Sequence, residues 1–306
     1  MRKISILATV MLWTLIVHSQ SFYTHWIATQ QVDSTSEIWF RQQIRLQELP
    51  VFASATIATT GKVDVYINER NVSTASWMPC RIVNDNLPVS INMEVTRFLQ
   101  PGINTIAIWY SPTFPHINQQ QMAFSLCGRM KNGEKRAFCS DDGWLTRRAN
   151  VSLTRDGGER HDANAYMLKW NSDDVDWGLW QPARNTNVPA IASNYHLTGY
   201  PAVKRNMTYT PRYFDLVGNG VYYQFDKAFK GQLRITLRDA KRGQKTYIDG
   251  LEYTCTGEMD EQACRKFTVA DHRRVLIYGD QNFKNEQIQS VEGIEIVPYF
   301  HESLQY

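Results

Sequence analysis

The sequence predicts an all-β fold, arranged as two consecutive β-sandwich domains. Short segments of alternating apolar and polar residues recur along the chain. Glycine, asparagine and proline punctuate them, and no heptad repeat, long amphipathic helix or low-complexity tract interrupts the pattern. Alternation gives each strand one apolar face, and a set of such strands needs a second sheet to cover it.

Met1-Arg2-Lys3, the apolar run 4–17 and the exit His18-Ser19-Gln20 have the charged start, apolar middle and small-residue end of a secretory signal peptide. The run is too short to span a bilayer comfortably, so cleavage after Ser19 is expected. A periplasmic, secreted or cell-surface location follows, with no membrane span left. No cysteine succeeds the apolar run, which argues against a bacterial lipid anchor. Loss of Arg2 and Lys3 lowers the basic residues from 33 to 31 against 30 acids, and the formal charge from +3 to +1. Nucleic-acid binding needs a basic stripe, and a nearly neutral surface does not supply one.

After Trp26-Ile27-Ala28, residues 38–46, 53–59 and 63–67 read as strands, and Asn68-Glu69-Arg70-Asn71 closes a hairpin with asparagine available for a left-handed position. Residues 95–104 read as a short helical turn stopped by Pro101-Gly102, followed by a buried strand over 105–110. Residues 122–130 pair with 135–140. The polar, proline-containing stretch 184–194 marks the boundary, giving a first sandwich over 20–186 and a second over 187–306. Beyond it, residues 220–226, 231–237, 245–248, 274–278 and 293–297 supply at least five further strands.

Five cysteines lie in what should be an oxidising compartment. Cys127 and Cys139 flank the turn 131–134, and a disulfide there requires a bulge that puts both on one face. Cys255 and Cys264 are near enough for a second local bridge. The odd count leaves one thiol over, with Cys80 the first choice. None of the spacings fits a zinc ribbon or a redox CxxC motif.

Candidate chemistry concentrates in Gly158-Glu159-Arg160-His161-Asp162-Ala163-Asn164-Ala165-Tyr166 and the acidic, tryptophan-rich run 173–183. Carboxylate, amide and aromatic groups this close together suit a loop that holds a sugar or a calcium ion. Asp173, Asp174 and Asp176 do not begin an EF-hand, because Asn185 stands where its bidentate glutamate belongs. Glu258, Asp260 and Glu261, between Cys255 and Cys264, would be the acid and base if the chain hydrolyses glycosides, with Asp226 the next place to look. An exposed acidic loop is the simpler account of them. No HExxH or GxSxG motif occurs, and Gly218-Asn219-Gly220 lacks the third glycine and following helix of a dinucleotide site. Aromatic residues make up 12% of the chain, and Trp77, Trp109 and Tyr166 are candidates for stacking on a pyranose.

With these residues in view, the sequence resembles the non-catalytic N-terminal β-sandwich region of bacterial α-L-rhamnosidases, family 78-like glycoside hydrolases. The matching motifs run in order: Glu37-Ile38-Trp39-Phe40-Arg41, then Val63-Asp64-Val65-Tyr66-Ile67-Asn68, then Val95-Thr96 with Leu99, Gly102 and Asn104. Asp142-Gly143-Trp144, Gly158-Glu159 with Asp162-Ala163, and 174–183 ending Trp180-Gln181-Pro182-Ala183 follow. In the second half Tyr223-Gln224-Phe225-Asp226, Gly231 and Lys241-Arg242-Gly243 match. The chain departs from the family at Glu69, where glycine is usual, and at His161, where tyrosine is.

The resemblance implies galactose-binding-like or jelly-roll sandwiches. It also implies that the helical catalytic barrel is not among these residues, so no catalytic carboxylate carries over. In some relatives a first-sandwich aspartate matched here by Asp162 helps calcium hold rhamnose. By that analogy Asp162 is an expected calcium ligand; proximity or residue type adds Asn164 and Asn206, with Glu159 a further oxygen donor. Glu159, Asp162, Asn164, Tyr166, Trp77 and Trp109 are then the expected ligand-binding set. The competing reading has Glu159 and Asp162 bonding loop amides while Trp177 fills the core. The function implied is an exported protein that binds rhamnose-type or pectic glycan beside a partner glycoside hydrolase. The alternative is an α-L-rhamnosidase-type hydrolase or a subunit of one.

Overall fold

The computed structural model describes residues 25–30, 33–73, 76–77, 89–114, 120–141, 143–187 and 203–298. The signal-peptide residues, Cys80, Asp142 and most of the expected boundary stretch lie outside them. Every described element is a strand or a single 3-10 turn, so the chain is all-β.

In the first half, Gln121–Arg129 and Phe52–Thr59 are the centre of a six-stranded sheet that also includes Arg184–Thr186, Trp26–Ala28, Val89–Glu94 and Lys135–Cys139. Facing it, Ser36–Leu46 lies between Leu145–Leu153 and Gly102–Ser111, with Lys62–Ile67 beyond. Alternation decides which side chains meet between the two sheets. Ile38, Phe40, Val63, Val65, Ile67, Ile106, Ile108 and Tyr110 turn inward onto Ala53, Ala55, Ile57, Phe124 and Leu126. Their neighbours Trp39, Arg41, Asp64, Ala107 and Trp109 turn to the opposite face, yet all are buried. A third layer therefore covers that face.

The second half supplies it. The strand Gly220–Leu237 pairs first with Tyr213–Val217 and Ala270–Gly279. Past an irregularity between Gln224 and Phe229 it pairs with Glu261–Cys264 and Ile288–Pro298. One long strand thus serves two sets of partners within one sheet, and its core includes Phe225, Phe229, Leu233, Ile235, Leu237, Ile248, Tyr253, Val275 and Ile277. The two short strands read from residues 220–226 and 231–237 are parts of this single element.

The halves are not merely consecutive. Glu159–Asp162 pairs antiparallel with residues 151–153 and parallel with Leu251–Thr254, making one continuous sheet through both halves. Gly158 permits the approach. A Cβ there would stand 2.0 Å from the Gly250 carbonyl oxygen, which accepts from the Glu159 N–H at 2.9 Å.

The expected short helical turn is a 3-10 turn over Thr96–Phe98 that ends at Leu99, and Gly102 opens the next strand. Asn68 and Glu69 both take left-handed backbone, with φ of 51° and 66°. The expected local disulfides are corrected: Cys127, Cys139, Cys255 and Cys264 are free thiols. Cys127 lies opposite Ala137 and Cys139 opposite Ser125, so the hairpin register offsets the two thiols instead of facing them. Cys255 is buried against Thr246, while Cys264 sits on the strand paired with Arg234.

Candidate functional site

Residues of three first-half motifs, Trp39, Asp64 and Glu159, meet at the junction between the two halves. Trp39, Trp109 and Trp170 pack there with Phe267, Val203, Ile294 and Ile296. Trp39 stacks on Trp170 with centroids 5.2 Å apart, and Trp109 meets both edge-on. Trp77 packs against Phe267.

Acids are buried inside this aromatic layer, each with a specific partner, as burial requires. Glu159, fully buried, accepts the backbone N–H groups of Lys266, Phe267 and Thr268 at 2.5, 2.7 and 2.6 Å. Asp64 pairs with the Lys266 ammonium, which also lies over the Trp109 and Phe267 rings. Burial works against the lysine charge, but Asp64 and Tyr66 outweigh it and raise the Lys266 pKa. Glu37 accepts from the Trp109 indole at 2.5 Å, and its other oxygen is buried without a partner. Burial, reinforced by Glu159, holds the Glu37 carboxyl well above the usual carboxylate range.

Arg41 extends the junction outward. Its guanidinium donates to the carbonyls of Trp170 and Ser172 at 3.3 and 2.7 Å and lies 4.6 Å from the Trp177 ring and 5.3 Å from that of Trp180. Burial lowers its pKa to about 10. Arg41 therefore fastens the loop carrying the Trp177–Leu179 turn, which Asp176 caps through the Gly178 N–H at 3.0 Å.

Beside that turn the sheet is notched. Along one edge of Leu145–Leu153, Gln181–Pro182 pairs only with residues 145 and 146, and Glu159–Asp162 only with 151–153. The intervening edge borders a cleft of about 360 Å³ lined by Thr29, Thr146, Arg147, Arg148, Ala149, Ala165, Leu179 and Gln181. Asp162 caps the adjoining Ala163–Ala165 turn, its Oδ1 accepting from the Asn164 N–H at 3.0 Å. Tyr166 and Trp177, flanking the two turns that line the cleft, are 43% and 47% exposed. The volume is that of a small-ligand pocket, and the lining sets Ala149, Ala165 and Leu179 beside polar and basic side chains. Two larger hollows, about 490 and 680 Å³, lie elsewhere. One is bordered by the exposed 213–217 hairpin and the other by the strands of residues 127–129 and 135–137; neither includes a residue of the two turns.

The family described as Alpha-L-rhamnosidase N-terminal domain matches residues 50–204, just over half of the chain. The chain belongs to that family. Among solved structures it is similar to the α-L-rhamnosidase of Dictyoglumus thermophilum, at 18% identity and TM-score 0.80, over 91% of this chain and 36% of that one. The Aspergillus terreus enzyme is similar at 18% identity and TM-score 0.75, over 90% and 36% of the two chains. The Streptomyces avermitilis enzyme, solved with L-rhamnose, is similar at 16% identity and TM-score 0.75, over 87% and 29%. The chain spans about a third of the length of these enzymes. No curated protein matches it.

Within this rhamnosidase N-terminal domain the expected site residues separate into three groups. Glu159, Trp77 and Trp109 are 0%, 3% and 7% exposed, which corrects the expectation that they touch ligand. They hold the halves together, and bonding of amides by Glu159 and Asp162 is what the structure has. Trp177 does not fill the core, being nearly half exposed. Asp162 and Asn164 meet through the Asn164 N–H bond to Asp162 Oδ1, and Tyr166 follows the same turn, from which Ala165 alone lines the cleft.

The expected calcium ligands do not fit one ion. Asp162 Oδ1 caps a turn, Asn164 donates its amide to the Cys255 carbonyl at 2.9 Å, and Asn206 donates to Glu295 at 2.7 Å. Calcium takes six to eight oxygens, and among the described residues no group of three or more His, Cys, Asp or Glu side chains is arranged to hold a metal.

The acids considered for hydrolysis are also dispersed in role. Glu261 accepts from Tyr253 Oη and the Thr256 and Gly257 N–H groups, bracing its loop. Asp260 pairs with Arg238, Asp226 pairs with Arg212, and Glu258 is exposed. Sequence reasoning missed Arg147, Arg148, Thr29 and Gln181. The one trace is the Arg147-Arg148 pair, which breaks the alternation of its strand.

Proposed function

We propose that this protein is an exported carbohydrate-binding β-sandwich protein that recognises rhamnose-type or pectic glycan and works beside glycan-degrading enzymes. One observation carries the reading. In a chain of the rhamnosidase N-terminal domain family, a cleft of about 360 Å³ opens at a gap in sheet pairing, with half-exposed aromatics on its flanking turns. Aromatic faces stack on the apolar side of a sugar ring while hydroxyls and amides take its hydroxyl groups. The apolar start of the sequence supports export.

Isothermal titration of the purified mature chain with rhamnose and with rhamnose-containing pectin fragments tests the proposal. Heats that disappear in Trp177→Ala and Tyr166→Ala support it, and the absence of heat with every sugar overturns it. A second reading rests on the chain's coverage of about a third of intact rhamnosidases. In it the protein supplies the sandwich portion of a hydrolase whose active site a partner completes. Release of the aryl group from an aryl rhamnoside only when such a partner is added would favour that reading.

A further inference from the structure

Resting on the carbohydrate reading, we infer that the notch selects an acidic sugar, with the Arg147 guanidinium receiving the carboxylate of a uronate. The two arginines that line the cleft are not equivalent. Arg148 is neutralised by an ion pair with Asp33, itself positioned by Thr35 and Ser36. Arg147 has no ion pair among the described residues. Its one hydrogen bond among the described residues runs to the Leu179 carbonyl at 3.5 Å, the limit for such a bond. A guanidinium carries five donors in a planar fork that matches a carboxylate. Most of that capacity is uncommitted.

The surroundings favour an anion. No residue lining the cleft is acidic, so Arg147 leaves it with an unbalanced positive charge. Gln181, Thr29 and Thr146 add polar groups to the lining, while Ala149, Ala165 and Leu179 make the rest of it apolar. A sugar ring needs both, and a ring bearing a carboxylate adds the partner that Arg147 lacks. Arg147 is half-buried, so the pair would be screened less than one at an open surface. The sheet cannot close over this site, because strands 159–162 and 181–182 cover only the two ends of the edge.

The test compares methyl galacturonate glycoside, methyl galactoside and methyl rhamnoside by NMR titration of the folded chain at low ionic strength, repeated with Arg147→Gln. Arg147 forms no ion pair among the described residues, so the variant should fold, and its thermal melt checks this. The expected result is that the uronate binds at least about tenfold more tightly than galactoside, which is about 1.4 kcal/mol. The preference should vanish in Arg147→Gln, fall with added salt, and persist in Arg129→Gln on the other sheet. Equal binding of all three sugars overturns the inference and leaves carbohydrate binding standing. Retention of the preference in Arg147→Gln also overturns it. Absence of binding by all three sinks the inference together with the reading beneath it.

Discussion

Replacing Glu159 with glutamine separates a residue that holds the fold from one that holds a ligand. The carboxylate accepts three backbone N–H groups, two on Oε1 and one on Oε2, from a segment of the other half of the chain. A carboxamide has one acceptor oxygen. If that oxygen keeps Phe267 and Thr268, the new amide group points its hydrogens at the Lys266 N–H and leaves it unpaired. A buried unpaired donor costs roughly 1–3 kcal/mol, and hydrogen bonds lose about half their strength when the acceptor loses its charge. The expected loss is therefore about 3 kcal/mol. At roughly 2–4 °C per kcal/mol for a chain of this order of size, the melting temperature should drop by about 6–12 °C. Thermal unfolding followed by circular dichroism measures the loss. Hydrogen exchange should show faster exchange localised to the amides of residues 266–268. Glycan affinity measured below the melt should be unchanged, because Glu159 has no exposed surface. A loss under about 1 kcal/mol with these amides still protected would refute the reasoning, and so would a loss of glycan affinity at full stability.

Glu37→Gln should change the pH dependence of stability. Burial and then Glu159 raise the Glu37 pKa well above its ordinary 4.5, so the folded state binds this proton more tightly than the unfolded state does. The wild type accordingly loses stability as pH rises above 4.5 toward the raised value. The variant should gain on it over that interval, and melting temperatures from about pH 4.5 to pH 8 that keep a constant difference would exclude this. Glu69→Gly should raise stability by up to about 1 kcal/mol, because Glu69 has a φ of 66° and left-handed backbone is costly for a residue with a Cβ; urea unfolding measures it. Lys266→Met should destabilise by about 3–5 kcal/mol, since it strands the buried Asp64 charge, whereas adding Asp64→Asn should recover much of that loss in the same unfolding assay. EDTA should leave both glycan affinity and melting temperature unaltered, since among the described residues no three or more His, Cys, Asp or Glu side chains are grouped to hold a metal.

Much of the strand content was legible because alternation is a local signal. Residues 63–67 and the end of 38–46 show it, 105–110 is legible as a short apolar run, and the left-handed pair at Asn68-Glu69 follows from the hairpin it closes. The short or polar strands were less visible. Tyr213–Val217 is exposed along its whole length, so no burial pattern marks it. Leu145–Leu153 carries arginines where it is notched.

The roles of the motifs were less legible than their presence. Glu159 and Trp109 stand out as residue types that serve binding sites, and burial makes them structural instead. Nothing in the letters 158–163 announces that a strand there will pair in parallel with residues almost a hundred positions later. Parallel pairing has no turn to mark it, and Gly158 reveals its purpose only when the Gly250 carbonyl lies against it.

The amino-acid order alone determined the all-β class, the family and the strands with strong alternation, because those depend on neighbours within one element. Only the tertiary structure decided which acids are sealed between the halves, which of the two cleft arginines lacks an ion pair among the described residues, and where the sheet leaves a gap. Each of these is set by what lies opposite a side chain in space, and that partner comes from a distant part of the chain.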